Sequence, residues 1–548
     1  MLPRRTALAF ALVVLFVCSA AAGSSAAAAT AQPTPADNAT LVEAYPNPVE
    51  RGDTGEFVAT EFATPTNTTG WVLTDGRTAV PLPNRTFDGT VAFAKTPETA
   101  QKHTDHPVIE IEGGLRLAND GERLELRNGS RTVDIARYRT APESRIRNLT
   151  AEAWRPVGAT NLRPANTSGG NATVFVLPDA DDKTTETLRE ADDRLFLAGY
   201  TLTSERVTDA LVEAHENGAD VRVLLDGNPV GGVTKRQARQ LDRLIAAGIA
   251  VRLLDGPHTR YRYHHPKYAV VDGKALVLTE NFKPAGTGGM SSRGWGVVLE
   301  DVGAADALAK LHTDDWEWRA ATPWEQYRAG RTFSTDDPAL GSFETRHQPK
   351  RVAVDSATVL VSPDNAGDAL VSRLDGAERR VLVQQVEISS RDSRLLRAVL
   401  RAADRGVEVK IHLSDAWYVA EDNAALVAWL NQRAESEGWN LEARVDTADG
   451  YEKIHTKGVV IDETAIVGSL NWANAATEHN REVLIALESD AAADYYAGVF
   501  TADWSDGGQR PIPAGVLGAV AVAGAGALLA AKRVEFVGRD GVVTDWQW

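Results

Sequence analysis

The stretch IHTKGVVIDETAIVGSLNW, Ile454–Trp472, contains two short apolar runs separated by a polar turn. Residues Gly458–Ile461 are apolar and β-branched, and a second apolar run begins at Ala465, so the pattern predicts two adjacent strands. Alternate residues of a strand share a face, so His455 and Lys457 project to the same side.

A hydroxyl and an amide follow at the end of the second predicted strand. Ser469 and Asn471 form another same-side pair, and Asp462 closes the first strand. An imidazole, an ammonium, a hydroxyl and an amide can together surround one small anion. The spacing His-x-Lys, four residues, Asp, and then Gly-Ser-x-Asn resembles the motif of the phospholipase D superfamily.

The same spacing occurs a second time, in HHPKYAVVDGKALVLTENF. His265, Lys267 and Asp272 each precede their counterparts by 190 residues, as does Asn281, and Thr279 stands where the later copy has Ser469. The flanking segments repeat as well: TVFVLPD answers TVLVSPD, and GADVRVLL answers GVEVKIHL. An internal duplication of this kind predicts two similar lobes, each carrying half of a site.

Apolar periodicity predicts the same order of elements in both copies, with strands alternating with helices. In the first copy this order is Leu195–Tyr200, Ser204–Asn217, Val221–Leu225, Thr234–Ala247 and Ala250–Leu254. In the second copy it is Val381–Ile388, Arg394–Arg405, Val407–Leu413 and Asn423–Glu437. Such alternation indicates α/β sheets covered by helices. We place the two lobes at residues 172–347 and 348–508.

Residues 41–147 have a different pattern, with short alternating strands and turn residues that predict a small β-sandwich. The segment resembles the lamin-tail domain, a module expected to bind or space something, in Pro46-Asn47-Pro48, Phe57, Trp71 with Asp75-Gly76, Leu115 to Leu126, and Asp134 with Tyr138. Its two close histidines, His103 and His106, lack a third ligand and are interpreted as loop residues rather than a metal site. Residues 148–171 are predicted to be a linker.

Both ends of the chain carry apolar segments. Paired arginines and an apolar run predict a signal peptide at 1–22, followed by a flexible leader at 23–40. Residues 511–531 are uncharged and long enough, at roughly 30 Å, to span a bilayer. Two basic residues follow, which places the tail at 532–548 in the cytoplasm. The chain is therefore expected to be membrane-anchored at the cell surface, with its catalytic domains extracellular.

Composition agrees with an exposed, acidic protein. The net charge of −17 with 75 acidic residues resembles the proteins of salt-loving archaea. In molar salt the screening length is about 3 Å, so net charge does not identify the substrate. Glycosylation sequons cluster before the repeated region and predict a glycoprotein, at Asn38, Asn67, Asn84, Asn128, Asn148, Asn166 and Asn171.

The superfamily resemblance implies that the two lobes meet about a pseudo-twofold axis and that their motifs share one cleft. It implies a phosphohistidine intermediate, with His265 as the nucleophile in the usual order and His455 as the acid. No metal or other cofactor is required, and a single chain completes the site. The other site residues it assigns divide into the motif residues Lys267, Asp272, Lys457 and Asp462, and the phosphate-side residues Thr279, Asn281, Ser469, Asn471 and Glu482.

In this assignment the lysines and amides hold the non-bridging oxygens. The two aspartates orient the histidines and support the fold. Two departures concern the first copy. Leu278 replaces Gly468 of the second copy and is predicted to reduce room near the phosphate. Glu482 aligns with Gly294, so the first copy is predicted to lack that carboxylate. His264 points away from its neighbour and is interpreted as structural.

Three functions remain open on the sequence. The favoured one is a phosphodiesterase, hydrolase or phosphatidyl transferase, that acts on a phospholipid. The second is an extracellular nuclease, which the locally basic and aromatic stretch HTRYRYHHPK would serve. The third is a non-catalytic surface binding protein whose first half-site has decayed.

Overall fold

A computed structural model describes residues 39–48, 52, 54–113, 116–336, 338–339 and 341–506. The predicted signal peptide, bilayer-spanning segment and cytoplasmic tail lie outside these residues. Within them, none of the helices has the length and apolar character needed to cross a membrane.

The N-terminal domain is built almost entirely of strands. In chain order its elements are β1 (Ala39–Tyr45), β2 (Phe57–Asn67), β3 (Trp71–Thr74), β4 (Ala79–Pro81), β5 (Thr86–Ala94), α1 (Pro97–Ala100), β6 (Val108–Glu110), β7 (Glu122–Asn128), β8 (Arg131–Tyr138), β9 (Arg145–Asn148) and β10 (Ala153–Pro156). They form one sheet in the order β10-β9-β1-β2-β5-β6 and another in the order β4-β3-β7-β8. Phe62 and Phe93 of the first sheet share an apolar core with Trp71 and Leu126 of the second.

The first lobe follows with alternating strands and helices. Its elements are β11 (Ala165–Thr167), β12 (Gly170–Leu177), α2 (Lys183–Arg189), β13 (Arg194–Gly199), α3 (Glu205–Glu216), β14 (Asp220–Asp226), α4 (Lys235–Ala246), β15 (Ala250–Leu254), β16 (Lys267–Val271), β17 (Lys274–Leu278), β18 (Ser292–Glu300), α5 (Val302–Trp316), β19 (Ala321–Pro323) and α6 (Trp324–Arg328). Ser204 and Thr234, predicted as the first residues of two helices, cap α3 and α4 by accepting backbone hydrogen bonds.

The second lobe repeats this order. Its elements are β20 (Lys350–Val354), β21 (Ser356–Ser362), α7 (Ala366–Asp375), β22 (Arg380–Gln385), α8 (Arg394–Asp404), β23 (Glu408–Leu413), α9 (Ala420–Glu437), β24 (Leu441–Val445), β25 (Lys453–Ile454), β26 (Lys457–Ile461), β27 (Thr464–Gly468), α10 (Asn474–His479), β28 (Glu482–Glu488) and α11 (Asp490–Asp506). The predicted α/β fold of both lobes is confirmed.

The two lobes have sheets of the same strand order. The first reads β15-β14-β13-β16-β17-β18-β12 and the second reads β24-β23-β22-β26-β27-β28-β21. In each sheet the first three strands run parallel, and the remaining neighbours are antiparallel. One face of each sheet packs on its own helices. The opposite faces, with α5 and α11, form one apolar core that the lobes share.

Short strands cross between the lobes, which corrects two predicted boundaries. The predicted linker, residues 148–171, contains β10, which extends the N-terminal sheet, and β11, which pairs with β21 of the second lobe. Conversely, β20 begins after the predicted boundary but pairs with β12 of the first lobe. Each lobe therefore completes an edge of the other, and edge pairing of this kind fixes their relative position.

Candidate active site

The two motif histidines lie just before equivalent strands, and each is fixed to the opposite lobe. The backbone N–H of His265, ahead of β16, donates to the carbonyl of Arg481 at 2.9 Å. The N–H of His455, ahead of β26, donates to the carbonyl of Arg293 at the same distance. Both histidines are thus held at the boundary between the lobes.

A carboxylate of the second lobe holds the first imidazole. Nδ1 of His265 lies 2.9 and 3.0 Å from the two oxygens of Glu482. This fully buried carboxylate also accepts hydrogen bonds from the Ser469 hydroxyl at 2.5 Å and from the Asn480 amide at 3.0 Å. A carboxylate at Nδ1 selects the tautomer that leaves the Nε2 lone pair free. Glu482 was predicted on the phosphate side; it instead orients His265.

The reciprocal carboxylate is Glu280, which the sequence did not reveal. Nδ1 of His455 lies 3.1 Å from Oε2 of Glu280, a buried residue of the first lobe. The prediction that the first copy lacks a carboxylate is therefore wrong. The group is present at a different position, because Glu280 corresponds in the 190-residue offset to the buried Leu470.

Two glycines make room for the Glu280 side chain. A Cβ atom on Gly294 would lie 2.3 Å from Cγ of Glu280, and one on Gly286 would lie 2.4 Å from its Oε2. The second lobe has the reverse arrangement, with Leu470 in place of the carboxylate and Glu482 in place of Gly294. Each lobe thus supplies one carboxylate to the histidine of the other lobe, but the carboxylate stands at a different position in each copy.

The motif lysines are buried beside the histidines. Nζ of Lys267 donates to the carbonyl of His265 at 2.8 Å, and Nζ of Lys457 donates to that of His455 at 2.7 Å. The Lys457 ammonium also lies 3.3 Å from Nδ1 of His455. An ammonium has three protons, so each lysine keeps donors for an anion in the cleft.

Burial determines the charge states of the site. Desolvation, partly opposed by Glu482, lowers the pKa of His265 to about 4, and desolvation opposed by Glu280 does the same for His455. Both Lys267 and Lys457 lower the pKa of each histidine further, so each half-site feels the charge of the other lobe's lysine. Desolvation also lowers the pKa of Lys457 to about 8.

The predicted hydroxyl ligands are engaged in holding the strands. Thr279 is fully buried, and its hydroxyl accepts from the backbone N–H of Trp295 at 2.9 Å. Ser469 accepts equivalently from Val483 at 3.1 Å while it donates to Glu482. These hydroxyls therefore fix the neighbouring strand and a carboxylate, which corrects their predicted contact with phosphate.

The two predicted amide ligands retain unused hydrogen-bonding capacity. Asn281 and Asn471 are partly exposed at the ends of the motifs, and Oδ1 of each has no hydrogen-bond partner within the part of the chain that the structure describes. They remain candidates for contact with substrate.

The motif aspartates lie at the far ends of the strands, away from the histidines. Asp272 and Asp462 occupy turns with φ of 51° and 50°. The carboxylate of Asp272 accepts from the backbone N–H groups of residues 192–194, and that of Asp462 accepts from those of residues 378–380. Five steps along β16 separate Asp272 from Lys267 by roughly 16 Å, and His265 lies two residues further from it along the chain. Their role in orienting the histidines is therefore corrected; they fix the start of β13 and β22.

Leu278 does not obstruct the site. Its side chain lies in the helix-facing core of the first lobe. It occupies the space opposite Gly296, where an added Cβ would lie 2.8 Å from Leu278 Cδ2. In the second lobe Gly468 pairs with Leu484. The exchange preserves core volume, so the predicted loss of room near the phosphate is wrong.

Two buried arginines connect the lobes behind the histidines. Arg481 binds Asp315 of the first lobe at 2.9 Å and Asp364 of its own lobe at 2.8 Å. Arg293 is related by the duplication and binds Asp503 of the second lobe at 2.9 Å. Because their carbonyls accept from the histidine backbones, these ion pairs set the separation of the two half-sites.

Other histidines do not join the site. His264 is buried, and desolvation lowers its pKa to about 3. His106 lies 3.6 Å from Glu43, beside a cavity between the N-terminal domain and the first lobe. In the described residues, no group of three or more His, Cys, Asp or Glu is arranged to hold a metal ion.

We expect Glu280→Gln to lower kcat/KM roughly 10- to 100-fold, because a hydrogen bond to a charged group contributes about 1.5–3 kcal/mol. The carboxylate raises the pKa of His455, the implied acid, so its removal should move the basic limb of the pH–kcat/KM profile to lower pH. The profile and a histidine NMR titration measure this effect.

The matched control for this prediction transfers the arrangement of the second lobe to the first. Gly294→Glu alone should crowd Glu280 and reduce activity, whereas the double variant Glu280→Leu, Gly294→Glu should recover most of it. A Glu280→Gln variant with an unchanged rate and an unchanged basic limb would contradict the assignment.

In the comparison with known proteins, one family matches both lobes. The family described as "Cardiolipin synthase, PLD-like domain", where PLD denotes phospholipase D, matches residues 184–311 and 370–504. One matched segment lies in each lobe, and each includes one histidine motif.

Individual relatives cover parts of the chain. A phospholipase D of Rickettsia typhi (strain ATCC VR-144 / Wilmington) is 28% identical over 167 residues, 30% of this chain and 74% of the relative. A mitochondrial cardiolipin hydrolase of Xenopus tropicalis is 32% identical over 113 residues, 20% of this chain and 49% of the relative. The solved phosphatidylserine synthase of Haemophilus influenzae Rd KW20 covers 67% of this chain and 94% of its own, at 15% identity and a TM-score of 0.46.

Proposed function

Because both lobes are phospholipase D-like domains, we propose that this protein is a phosphodiesterase that cleaves phospholipids through a phosphohistidine. The observation that carries the proposal is the reciprocal pairing of His265 with Glu482 and of His455 with Glu280. It supports the proposal because each imidazole is oriented at the boundary between the lobes by a carboxylate of the opposite lobe.

In the first step, Nε2 of His265 attacks phosphorus while Glu482 holds the proton on Nδ1. Its low pKa keeps this ring neutral at pH 7, as a nucleophile must be. His455 donates a proton to the departing alkoxide, which leaves as an alcohol. The low pKa of His455 disfavours that protonated state, but the negative charge of a bound phosphate favours it.

In the second step, His455 takes a proton from water or from an alcohol, which attacks the phosphohistidine and releases His265. Water gives hydrolysis and an alcohol gives phosphatidyl transfer. Lys267, Lys457 and the amides of Asn281 and Asn471 stabilise the charge that develops on the non-bridging oxygens.

A lipid substrate is favoured over nucleic acid. The relatives from Rickettsia typhi and Xenopus tropicalis are named phospholipase D and cardiolipin hydrolase. In the basic stretch considered for nucleic acid, Arg260 binds Asp105 at 2.7 Å and packs on Trp318, and Tyr261 is buried. These side chains join the N-terminal domain to the first lobe and are not free to bind a polyanion.

We also propose that the enzyme is exported and anchored to the membrane by residues 511–531. The support is the sequence pattern of that segment and of residues 1–22. Such an anchor would keep the cleft close to its lipid.

The experiment that tests the function supplies the purified protein, in high salt, with labelled cardiolipin, labelled phosphatidylglycerol and linear DNA. We expect lipid turnover with a trappable phosphohistidine. DNA cleavage without lipid turnover would select the nuclease. Inactivity on all three, without a phosphoenzyme, would leave the surface binding protein.

A further inference from the structure

Most of the exposed large apolar side chains lie in loops that connect to the two histidine half-sites. Within the described residues, large hydrophobic side chains with high exposure are Ile135, Val230, Met290, Val302, Trp417 and Tyr418. Four of these, Val230, Met290, Trp417 and Tyr418, lie in loops beside the site, and we name these four residues the cleft rim. Trp417 is 91% exposed and Val230 is 78% exposed.

Contacts connect each part of the cleft rim to the catalytic groups. On the first lobe, the backbone N–H of Val230 donates to the Tyr200 hydroxyl at 2.5 Å, and the Tyr200 ring lies 4.7 Å from that of His265. The loop that carries Met290 passes over the carboxylate that holds His455, since Gly286 in that loop contacts Glu280.

The second lobe contributes the aromatic pair. The rings of Trp417 and Tyr418 lie 5.6 Å apart in the loop between β23 and α9. Burial, together with the nearby carboxylates of Glu280 and Glu387, raises the pKa of Tyr418 to about 12. Tyr418 therefore lies near Glu280, the carboxylate that holds His455, while Trp417 is almost fully exposed to solvent. The cleft rim thus contains residues of both lobes.

The cleft rim side chains stand in mostly uncharged sequence, although their loops also contain Glu280, Lys283 and Asp415. Residues 227–234, 284–292 and 416–420 contain no Asp, Glu, Lys or Arg, although 24% of the chain is charged. With Lys283 as their one cation, these loops offer little to a nucleic acid backbone, whose binding depends on lysine and arginine. Tryptophan and tyrosine beside uncharged apolar residues are typical of the water–membrane interface.

We propose that the cleft rim inserts into the surface of a lipid bilayer and places the cleft against the headgroups. The inference rests on the proposed function for its choice of partner and adds the surface by which the substrate is approached. Both lobes insert side chains, so the pseudo-twofold axis stands close to the membrane normal. A lipid phosphodiester then enters the cleft between Val230 and Trp417 without leaving the bilayer.

Site-specific labelling of the full chain tests this proposal. The single cysteine of the chain, Cys18, is first replaced by serine. An environment-sensitive fluorophore is then attached to the one cysteine of each variant, Trp417→Cys, Val230→Cys or the control Val302→Cys. Val302 is 62% exposed and lies beside Gly273, at the end of the sheet away from the cleft. Vesicles of phosphatidylglycerol and phosphatidylcholine should shift the emission to the blue at 417 and 230 but not at 302, even where another segment anchors the chain.

A second measurement separates docking from catalysis. Trp417→Ser should lower turnover of vesicle lipid roughly tenfold, because one large apolar side chain no longer enters the bilayer. Turnover of a short-chain, monomeric phospholipid should stay within about twofold. No emission shift at 417 and 230, an equal shift at 302, or a shift with single-stranded DNA in place of vesicles would overturn the proposal. Blue shifts at 417 and 230 in a protein inactive on every phosphodiester would support docking and refute the proposed function.

Discussion

Replacement of His455 or His265 by alanine is expected to lower turnover of a natural phospholipid by about 10²–10⁴-fold, the usual contribution of a positioned acid–base group. Both imidazoles are held by carboxylates of the opposite lobe, so neither can be replaced by a neighbouring side chain. Steady-state assays of each variant measure the effect. His215→Ala is the control, because His215 lies on α3, outside the cleft.

An activated substrate distinguishes the two histidines. A p-nitrophenyl phosphodiester has a leaving group that needs no proton, so the His455→Ala variant should still form the phosphoenzyme and release a burst of nitrophenolate. It should then stall, because the water that resolves the intermediate has lost its base. The His265→Ala variant should show no burst. The opposite pattern would exchange the two roles, and normal bursts from both would refute the site.

Much of this architecture follows from the sequence because the duplication repeats every signal. The first-lobe helix predicted at Thr234–Ala247 is found at Lys235–Ala246, and the strand predicted at Ala250–Leu254 has those bounds. Periodicity is reliable here since each element has one apolar face and a cap or turn residue at its end. The histidines and lysines were likewise identifiable from spacing alone.

The carboxylates were harder to assign because their role depends on contacts between the lobes. Glu280 aligns with a leucine in the other copy, so comparison of the repeats hides it. The missing side chain at Gly294 becomes informative only when the two positions are known to touch. The position of Asp272, in contrast, was available from the sequence: a five-residue strand between it and Lys267 already separates them by roughly 16 Å.

The role of the buried arginines also could not be predicted from the sequence, because it depends on contacts between the lobes. Arg293 and Arg481 occupy equivalent positions in the repeats, as do Asp315 and Asp503. This repetition does not show that the arginines and aspartates touch, because an exposed surface pair would produce the same pattern. Only the fold shows that Arg481 and Asp315, which belong to different lobes, are in contact and are both about 1% exposed or less. Their role as a connection between half-sites is therefore a property of the tertiary structure.

Arg481→Met is expected to reduce the free energy of unfolding of the lobes by about 3–5 kcal/mol, the usual result of removing one partner of a buried ion pair. Burial alone would raise the pKa of Asp315, but Arg481 holds it below its ordinary value. Without the guanidinium, Asp315 and Asp364 would remain buried as unpaired charges. Urea unfolding measures the change in stability. Hydrogen exchange of the backbone amides in β16 and β26 shows whether the loss lies in the lobes rather than in the N-terminal domain.

The pH dependence of that loss identifies its cause. In the native protein, the lowered pKa of Asp315 contributes stability that is present above the unfolded value of about 4 and is lost as the pH falls. In Arg481→Met, desolvation instead raises this pKa, so the penalty should be largest near pH 7 and should shrink below pH 4. Asp315→Asn in the same background should restore part of the stability. Arg401→Met, which breaks a half-exposed pair with Asp375, should cost only about 0–1 kcal/mol. Equal losses in the two arginine variants would mean that the buried cluster does not join the lobes, and that the separation of the two histidines is set by the shared apolar core instead.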